Sequence, residues 1–178
     1  MNQIVYNMRI KVELYEVFHE TLDRLSGDGI LLVAGNPPNP MTIGWGTVGH
    51  IWNKPIMTVM VRPVRHTFSL MESARDFSVC ILPDQYTREL NLCGTKSGRE
   101  INKLEACNFH IERCSGIDSF FISESTIHYE CRIIHKNFID PSTLDPVIDK
   151  KYYPGRDYHM VYYGEIIGIF RRNGKFEV

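Results

Sequence analysis

The chain has 178 residues, of which 43% are hydrophobic, and its formal net charge is -1 at pH 7. This length predicts one domain over 1–178 with a buried core, and the hydrophobic content excludes a disordered chain. The balanced charge excludes a basic surface for nucleic acid or for an anionic membrane, so any positive site must be local. The sequence contains no apolar run long enough to span a bilayer and no secretory leader, and we expect a cytoplasmic protein without membrane contact.

Apolar spacing and glycines predict the elements of the first half of the chain. Apolar residues recur at helical spacing over 12–25, and Gly27 ends this helix. The run 30–34 reads as a buried strand and the proline-rich run 36–40 as a loop. Alternation over 41–48 predicts one continuous strand. Beyond it we predict a turn at 52–55, strands at 56–62 and 77–82, and helices at 68–74, 85–92 and about 100–106.

The second half of the chain is richer in strand signals. Strands are predicted at 120–122, 127–134 and 158–170, and the proline-bounded run 140–146 reads as a surface loop. Six or seven strands with a few short helices favour a mainly β fold, an antiparallel barrel with attached helices, over alternating βαβ units.

The cysteines and histidines predict neither disulfides nor a metal site. Five cysteines stand at positions 80, 93, 107, 114 and 131. Their number is odd, and the absence of Cys-x-x-Cys or zinc spacing indicates reduced thiols. The seven histidines form no His-x-x-x-His pair.

The run from Cys93 to Arg99 has the composition of an anion-binding loop. It reads Cys93-Gly94-Thr95-Lys96-Ser97-Gly98-Arg99. Glycines let backbone N–H groups turn inward, hydroxyls donate, cations supply charge, and the helix expected from about 100 adds a positive dipole end. The glycine spacing is not that of a P-loop. The alternative is a plain Gly/Ser turn before a helix.

A second cationic run leaves a strand and enters a helix. It reads Arg62-Pro63-Val64-Arg65-His66-Thr67, with Thr67 placed to cap the helix. Two arginines beside free N–H groups suit a phosphate. The alternative is a solvated strand end followed by an ordinary cap.

Glycines in the run 42–49 suggest a flat surface for a ring. In a continuous strand, Thr42, Gly44 and Gly46 share one face while Ile43 and Trp45 share the other. Missing side chains at the two glycines would let a flat ring lie against the backbone. The alternative is a barrel corner at which glycine permits strong coiling. The Gly-x-Gly-x-x-Gly pattern here opens no helix, and we interpret it as chance.

Few residues suggest acid–base or nucleophilic chemistry. His159 lies among tyrosines that could flank a pocket, and Tyr162 follows it closely. Cys93 could be a reactive thiol at a helix end, although no base stands near it in sequence. His159 and Tyr162 are therefore candidates for a role near the reacting groups, and the sequence identifies no catalytic residue.

Taken together, these runs resemble the flavin reductase-like proteins, and the flavoredoxins in particular. The matching stretches follow one another along most of the chain. They are 39–46, Lys54-Pro55 with 61–67, 91–99, and 157–159 through 163–166.

The resemblance implies an FMN-binding split β-barrel of Greek-key type, usually a homodimer with flavin near the subunit interface. It implies that the strand carrying Thr42, Ile43, Gly44, Trp45 and Gly46 forms the wall against the isoalloxazine ring. It implies contacts to the phosphate or ribityl chain from Arg62, Arg65, His66, Thr67, Cys93, Gly94, Thr95, Ser97, Gly98, Arg99 and Lys103. His159 and Tyr162 would face the ring or its substrate.

Three functions stay open. The first is an NAD(P)H-dependent FMN oxidoreductase, with NADH or NADPH as electron donor. The second is a flavoredoxin-type electron carrier that works with a protein redox partner, since the sequence has no nicotinamide-binding signature. The third is a barrel that binds another anionic ligand without flavin.

Overall fold

Most strands of the protein belong to one antiparallel sheet in the computed structural model, which describes residues 9–174. The strands are β1 (Arg9–Lys11), β2 (Ile30–Ala34), β3 (Asn39–Ile43), β4 (Gly46–Ile51), β5 (Lys54–Val61), β6 (Asp76–Ile81), β7 (Ile111–Arg113), β8 (Phe120–Ile122), β9 (Ile127–Phe138) and β10 (Met160–Arg172). Their order in the large sheet is β3-β2-β6-β9-β10-β5-β4, with β1 paired to β10, and β7 pairs with β8 separately.

The large sheet curls on itself at a two-residue corner. β3 and β4 lie at opposite ends of the strand order, yet only Gly44 and Trp45 separate them in the chain. Adjacent Cα atoms are about 3.8 Å apart, so the three steps from Ile43 to Gly46 span at most about 11 Å. The two ends of the sheet therefore meet, which confirms the predicted antiparallel barrel.

Short helices connect the strands. They are α1 (Leu14–Ser26), α2 (His66–Ser73), α3 (Thr87–Thr95), α4 (Lys103–Ala106) and α5 (Pro146–Tyr152). A capping box between Glu13 and Glu16 starts α1, and Gly27 ends it as predicted. No helix within residues 9–174 is long and apolar enough to cross a membrane.

Several predicted elements differ from the observed ones. The continuous strand predicted over 41–48 is wrong, because the chain leaves the sheet at Gly44 and Trp45. Asn39 and Pro40 belong to β3 rather than to the preceding loop. The helix predicted from about 100 begins only at Lys103, after a turn over 98–100. Strands β1 and β7 and helix α5 were not predicted.

Two hydrophobic clusters explain why β2 is buried along its whole length. Alternate residues such as Ile30 and Leu32 lie in the larger cluster with Tyr129 and Tyr162. The intervening Leu31 belongs to a second cluster, which includes side chains of α3 and β8. Burial on both faces produces the continuous apolar run that predicted this strand. The second cluster holds α3, and with it the run that follows Cys93, against the barrel.

Candidate functional site

Two adjoining cavities open beside the corner between β3 and β4. The larger, of about 240 Å³, is lined by Met41, Thr42, Ile43, Gly44, Trp45, Met60, Arg62, Arg65 and His159. The smaller, of about 140 Å³, is lined by Met41, Val64, Arg65, His66, Thr67, Cys93, Gly94, Thr95, Lys96, Ser97, Gly98, Glu100 and Lys103. Met41 and Arg65 line both cavities, so the two spaces share a boundary.

The positive end of α2 forms one wall of the smaller cavity. The helix begins at His66, and its N-cap is Arg65, in an extended conformation and without a side-chain cap. The expectation that Thr67 caps this helix is wrong, since Thr67 lies inside the first turn and accepts a hydrogen bond from Asn39 Nδ2 at 3.0 Å. A first turn without a side-chain cap leaves N–H groups for another acceptor, and it favours an anion.

The opposite wall is the end of α3, which contributes carbonyl groups. The helix N-terminus expected after the anion-binding loop 93–99, which we call the cradle, lies farther along the chain, at Lys103. Cys93 and Gly94 lie in the last turn of α3, so the cradle begins at a helix C-terminus. Such an end carries partial negative charge. Two cations offset it, because Lys103 Nζ donates to Cys93 O at 2.7 Å and Arg65 contacts Gly94 O at 3.5 Å.

The ammonium group of Lys103 is buried beside the smaller cavity. Only 4% of the residue is exposed, and Nζ donates to Pro40 O as well as to Cys93 O. Desolvation lowers the pKa of Lys103, and the nearby Arg65 charge lowers it further. An ammonium has three donors, so one remains for an anion. A bound anion would also relieve the repulsion between the two cations.

Gly98 brings the loop close to the start of α2. A Cβ at this position would overlap Asn39 Oδ1 and would lie 2.7 Å from His66 Cδ2. At Gly94 a Cβ would lie 3.3 Å from Thr42 Cβ. Gly94 therefore permits the close approach of the end of α3 to β3, and Gly98 permits that of the following loop to β3 and α2; both approaches shape the smaller cavity.

The corner, rather than a cleared strand face, contributes the wall of the larger cavity. Trp45 is 39% exposed, and its ring centroid lies 5.1 Å from that of His159. Gly46 lines neither cavity: a Cβ there would meet Thr58 O at 2.6 Å, so this glycine permits the pairing of β4 with β5. The chain does turn a corner at Gly44 and Trp45, as the alternative interpretation of these glycines placed it. Thr42 Oγ1 donates to Leu90 O at 2.6 Å, which uses its hydroxyl proton.

The two arginines of the second cationic run differ in their surroundings. Arg62 forms an ion pair with Asp157 at 2.5 Å and donates to Tyr152 O at 2.8 Å. Arg65 is exposed, and among the described residues its guanidinium has one hydrogen bond, to Gly94 O. Arg62 therefore has a structural role, whereas Arg65 retains donors for a ligand.

His159 lies at the larger cavity as a neutral side chain. Burial lowers its pKa to about 4, and the positive charge of Arg62 acts in the same direction. Its Nδ1 lies 2.8 Å from the hydroxyl of Tyr153. An imidazole with this pKa is uncharged at neutral pH.

Besides Gly46, two predicted residues line neither cavity, and a third, Cys93, lines the smaller one without the expected reactivity. Tyr162 is buried in the larger cluster and donates to Glu72 at 3.0 Å, lining neither cavity. Arg99 donates to Val64 O at 3.2 Å from outside both linings. Cys93 lines the smaller cavity, but burial raises the pKa of its thiol, which argues against a reactive thiolate.

Sequence reasoning missed several residues at the site. Met41, Met60, Val64 and Glu100 complete the two linings, and Lys96, which was predicted only as part of the cationic run 93–99, lines the smaller one. Met41 and Glu100 are direct neighbours of predicted residues in the sequence, so the predicted site could have been extended to them. The sequence also contained a signal for α5 that was not used. Asp145 followed by Pro146 is a typical helix start, and in the structure the Asp145 carboxylate accepts hydrogen bonds from Val147 N and Ile148 N.

Comparison with known proteins agrees with this architecture. Over residues 24–177 the chain matches the family model described as flavin reductase like domain. It is similar in fold to an FMN-binding domain of a flavin reductases-like enzyme from Shewanella baltica, with a TM-score of 0.66 at 20% identity over 94% of this chain and 79% of that one. It is likewise similar to flavoredoxin from Methanosarcina acetivorans, with a TM-score of 0.64 at 19% identity over 99% of this chain and 76% of that one.

A curated relative matches a shorter stretch. An uncharacterized protein of Archaeoglobus fulgidus is 27% identical over 105 residues, which are 58% of this chain and 59% of that protein. The matched stretch thus spans less than two thirds of the relative's length. The family match covers most of the chain and agrees with the split-barrel fold of its structural neighbours. The chain belongs to the flavin reductase-like family.

Proposed function

We propose that this protein binds FMN across the two cavities and acts as an oxidoreductase that takes hydride from NADH or NADPH. One observation carries the proposal: a small cationic cavity and a larger cavity with an aromatic wall lie side by side, and Arg65 and Met41 line both. A flavin nucleotide has the same division, with a phosphate at one end and a flat ring at the other. When bound, FMN would supply the hydride-accepting chemistry.

The smaller cavity suits a phosphate in its donors. The N-terminus of α2, the Arg65 guanidinium and one remaining donor of Lys103 surround it. Hydrogen bonds from charged donors to a phosphate dianion are stronger than those between neutral groups, so these donors favour a phosphate. The carboxylate of Glu100 also lines the cavity, and Lys96 supplies a further cation on the same wall.

The larger cavity suits a flat, partly apolar ring. Met41, Ile43 and Met60 supply apolar surface, and Trp45 supplies an aromatic wall. The chain's own residues would orient the ring and limit water near it. His159 would present a neutral imidazole to the ring or to the electron donor.

Flavin titration of the purified full chain tests the proposal. We expect quenching of FMN fluorescence on binding, and oxidation of NADH or NADPH by the FMN-loaded protein. Arg65→Ala should weaken FMN binding about tenfold to a hundredfold, the range for a charge-assisted hydrogen bond. The matched control Arg88→Ala changes an exposed arginine of α3 that lines neither cavity, and it should keep the affinity. Lack of FMN binding, or equal loss in both variants, would contradict the assignment.

A second candidate is a flavoredoxin-type carrier that exchanges electrons with a protein. Exposed apolar side chains near the cavities favour it, namely Val64 at 63%, Trp45 at 39% and Tyr152 at 36% exposure. Such a rim would suit docking of a partner protein. Slow turnover with NAD(P)H together with fast exchange with a reduced ferredoxin would select the carrier over the reductase.

We also propose that the protein is a homodimer, as the resemblance implies. The last part of β9 leaves Ile134 and Phe138 exposed, and the end of β4 leaves Ile51 exposed. Analytical ultracentrifugation tests this proposal, and a mass equal to one chain at micromolar concentration would contradict it.

A further inference from the structure

A buried hydrogen bond links Tyr153 to His159 at the edge of the larger cavity. The Tyr153 hydroxyl lies 2.8 Å from His159 Nδ1, and the two residues are 3% and 8% exposed. The main chain of His159 is held as well, because its carbonyl accepts from Ile139 N at 3.0 Å. The side chain of His159 lines the cavity, so Nε2 is the ring nitrogen left for a ligand.

The proton in this bond can lie in two arrangements. If Tyr153 donates to Nδ1, the neutral imidazole carries its proton on Nε2. If Nδ1–H donates to Tyr153, the tyrosine proton needs another acceptor, and the described residues provide none within hydrogen-bond distance. A buried hydroxyl left without an acceptor costs about 1–3 kcal/mol. The first arrangement is therefore favoured.

The ring of Tyr153 is itself held in place. The Arg62 guanidinium carbon lies 5.1 Å from the ring centroid, and Arg62 is anchored by Asp157 and by Tyr152 O. The rings of Tyr153 and His159 meet edge to face, at 5.6 Å and 80°. The orientation of His159 therefore depends on a chain of contacts that begins at Asp157.

We propose that Tyr153 is a positioning residue that holds His159 in the Nε2–H tautomer and thereby presents a hydrogen-bond donor to the larger cavity. A donor at this point recognises an acceptor oxygen, such as the carbonyl of a carboxamide, on a planar molecule lying against Trp45. The ligand part of this inference rests on the proposed function, whereas the tautomer is a property of the chain alone.

Nuclear magnetic resonance of the 15N-labelled full chain without flavin tests the tautomer. Long-range 1H–15N correlations distinguish a protonated from an unprotonated ring nitrogen, and a His159→Gln sample assigns the signals. We expect protonated Nε2 and unprotonated Nδ1 in the natural chain. Tyr153→Phe should shift the population toward Nδ1–H. The matched control Tyr158→Phe removes a neighbouring hydroxyl, which donates to Asp149, and should leave the tautomer unchanged.

Two results would overturn the inference: protonated Nδ1 in the natural chain, or an unchanged tautomer in Tyr153→Phe. Should Tyr153→Phe fail to fold, the spectrum of the natural chain still decides the assignment. With FMN-loaded protein, Tyr153→Phe should raise KM for NAD(P)H about tenfold, the value of one hydrogen bond, and change kcat less. If the loaded natural protein oxidises neither nucleotide, the proposed function fails while the tautomer result stands.

Discussion

The ammonium group of Lys103 donates to the main-chain oxygen of Cys93 at 2.7 Å, which ties the start of α4 to the end of α3. The segment from Cys93 to Lys103, both ends included, supplies eight of the thirteen residues that line the smaller cavity. The hydrogen bond thus holds the two ends of this segment together. It also places a positive charge where the carbonyls of α3 alone would repel an anion.

Loss of the Lys103 charge should weaken both the fold and anion binding. In Lys103→Met the carbonyls of Pro40 and Cys93 lose a buried donor, and we expect unfolding stability to fall by about 1–3 kcal/mol. FMN affinity should fall as well. Lys96→Met is the control, because Lys96 is exposed and lines the same cavity, so its stability should change little. Denaturant unfolding and fluorescence titration measure the two effects, and equal stability of the two variants would contradict the buried role of Lys103.

Replacement of Arg62 should lower the thermal stability of the protein more than replacement of Arg65. Arg62→Ala breaks the ion pair with Asp157 and the bond to Tyr152 O, so we expect a lower melting temperature. Arg65→Ala should leave the melting temperature nearly unchanged, since this side chain is exposed. Thermal unfolding without flavin checks this prediction, and a larger shift for Arg65→Ala would refute it.

A side chain at position 98 should distort the cradle. Gly98→Ala forces Asn39 and His66 apart from the loop, and we expect a destabilisation of about 1–3 kcal/mol together with weaker FMN binding. Gly49→Ala serves as the control because a Cβ there meets nothing within 4 Å. Both variants are compared by denaturant unfolding. A neutral Gly98→Ala would show that the loop does not need this close approach.

Alkylation should reveal two protected thiols in the second hydrophobic cluster. Cys93 and Cys107 are buried, their sulfurs lie 3.8 Å apart, and burial raises the pKa of each thiol. The reactive thiolate is therefore scarce at pH 8. We expect slow iodoacetamide labelling of both in the folded chain and fast labelling in guanidinium, read by peptide mass mapping. Fast labelling of Cys93 at pH 8 would restore its interpretation as a reactive thiol.

The protein should lose stability as the pH falls below about 6.5. The folded pKa of His159 is lowered to about 4 from an ordinary value of 6.5. Between these values the unfolded chain binds the proton and the folded chain does not, so acidification favours unfolding. The full effect of a shift of this size is at most about 3 kcal/mol.

Unfolding titrations at pH 7 and pH 4.5 measure the loss. His159→Gln should lose less stability than the natural chain over this interval. The control is His19→Gln, which changes an exposed histidine of α1 and should follow the natural chain. An identical pH dependence in all three proteins would exclude a contribution from His159.

Local patterns in the sequence predicted those parts of the fold that depend on burial and backbone chemistry. The apolar run 30–34 predicted β2 with its observed bounds, because both faces of this strand are buried. Gly27 predicted the end of α1. The cationic runs around Arg65 and Lys96 predicted residues that line one small cavity. These features depend on neighbours along the chain, so a single sequence contains them.

Sequence patterns alone therefore predicted a mainly β chain with two cationic runs and a glycine-bearing segment over 41–48, which they assigned to a continuous strand. The position of the barrel corner at Gly44 and Trp45 emerged only from the folded chain, as did the placement of the cradle between the start of α2 and the end of α3. The tertiary structure also decided that Arg62 is bound by Asp157 and that Tyr153 contacts His159. These outcomes depend on the curvature of the sheet and on contacts between distant segments, and local alternation and residue spacing carry no signal for either.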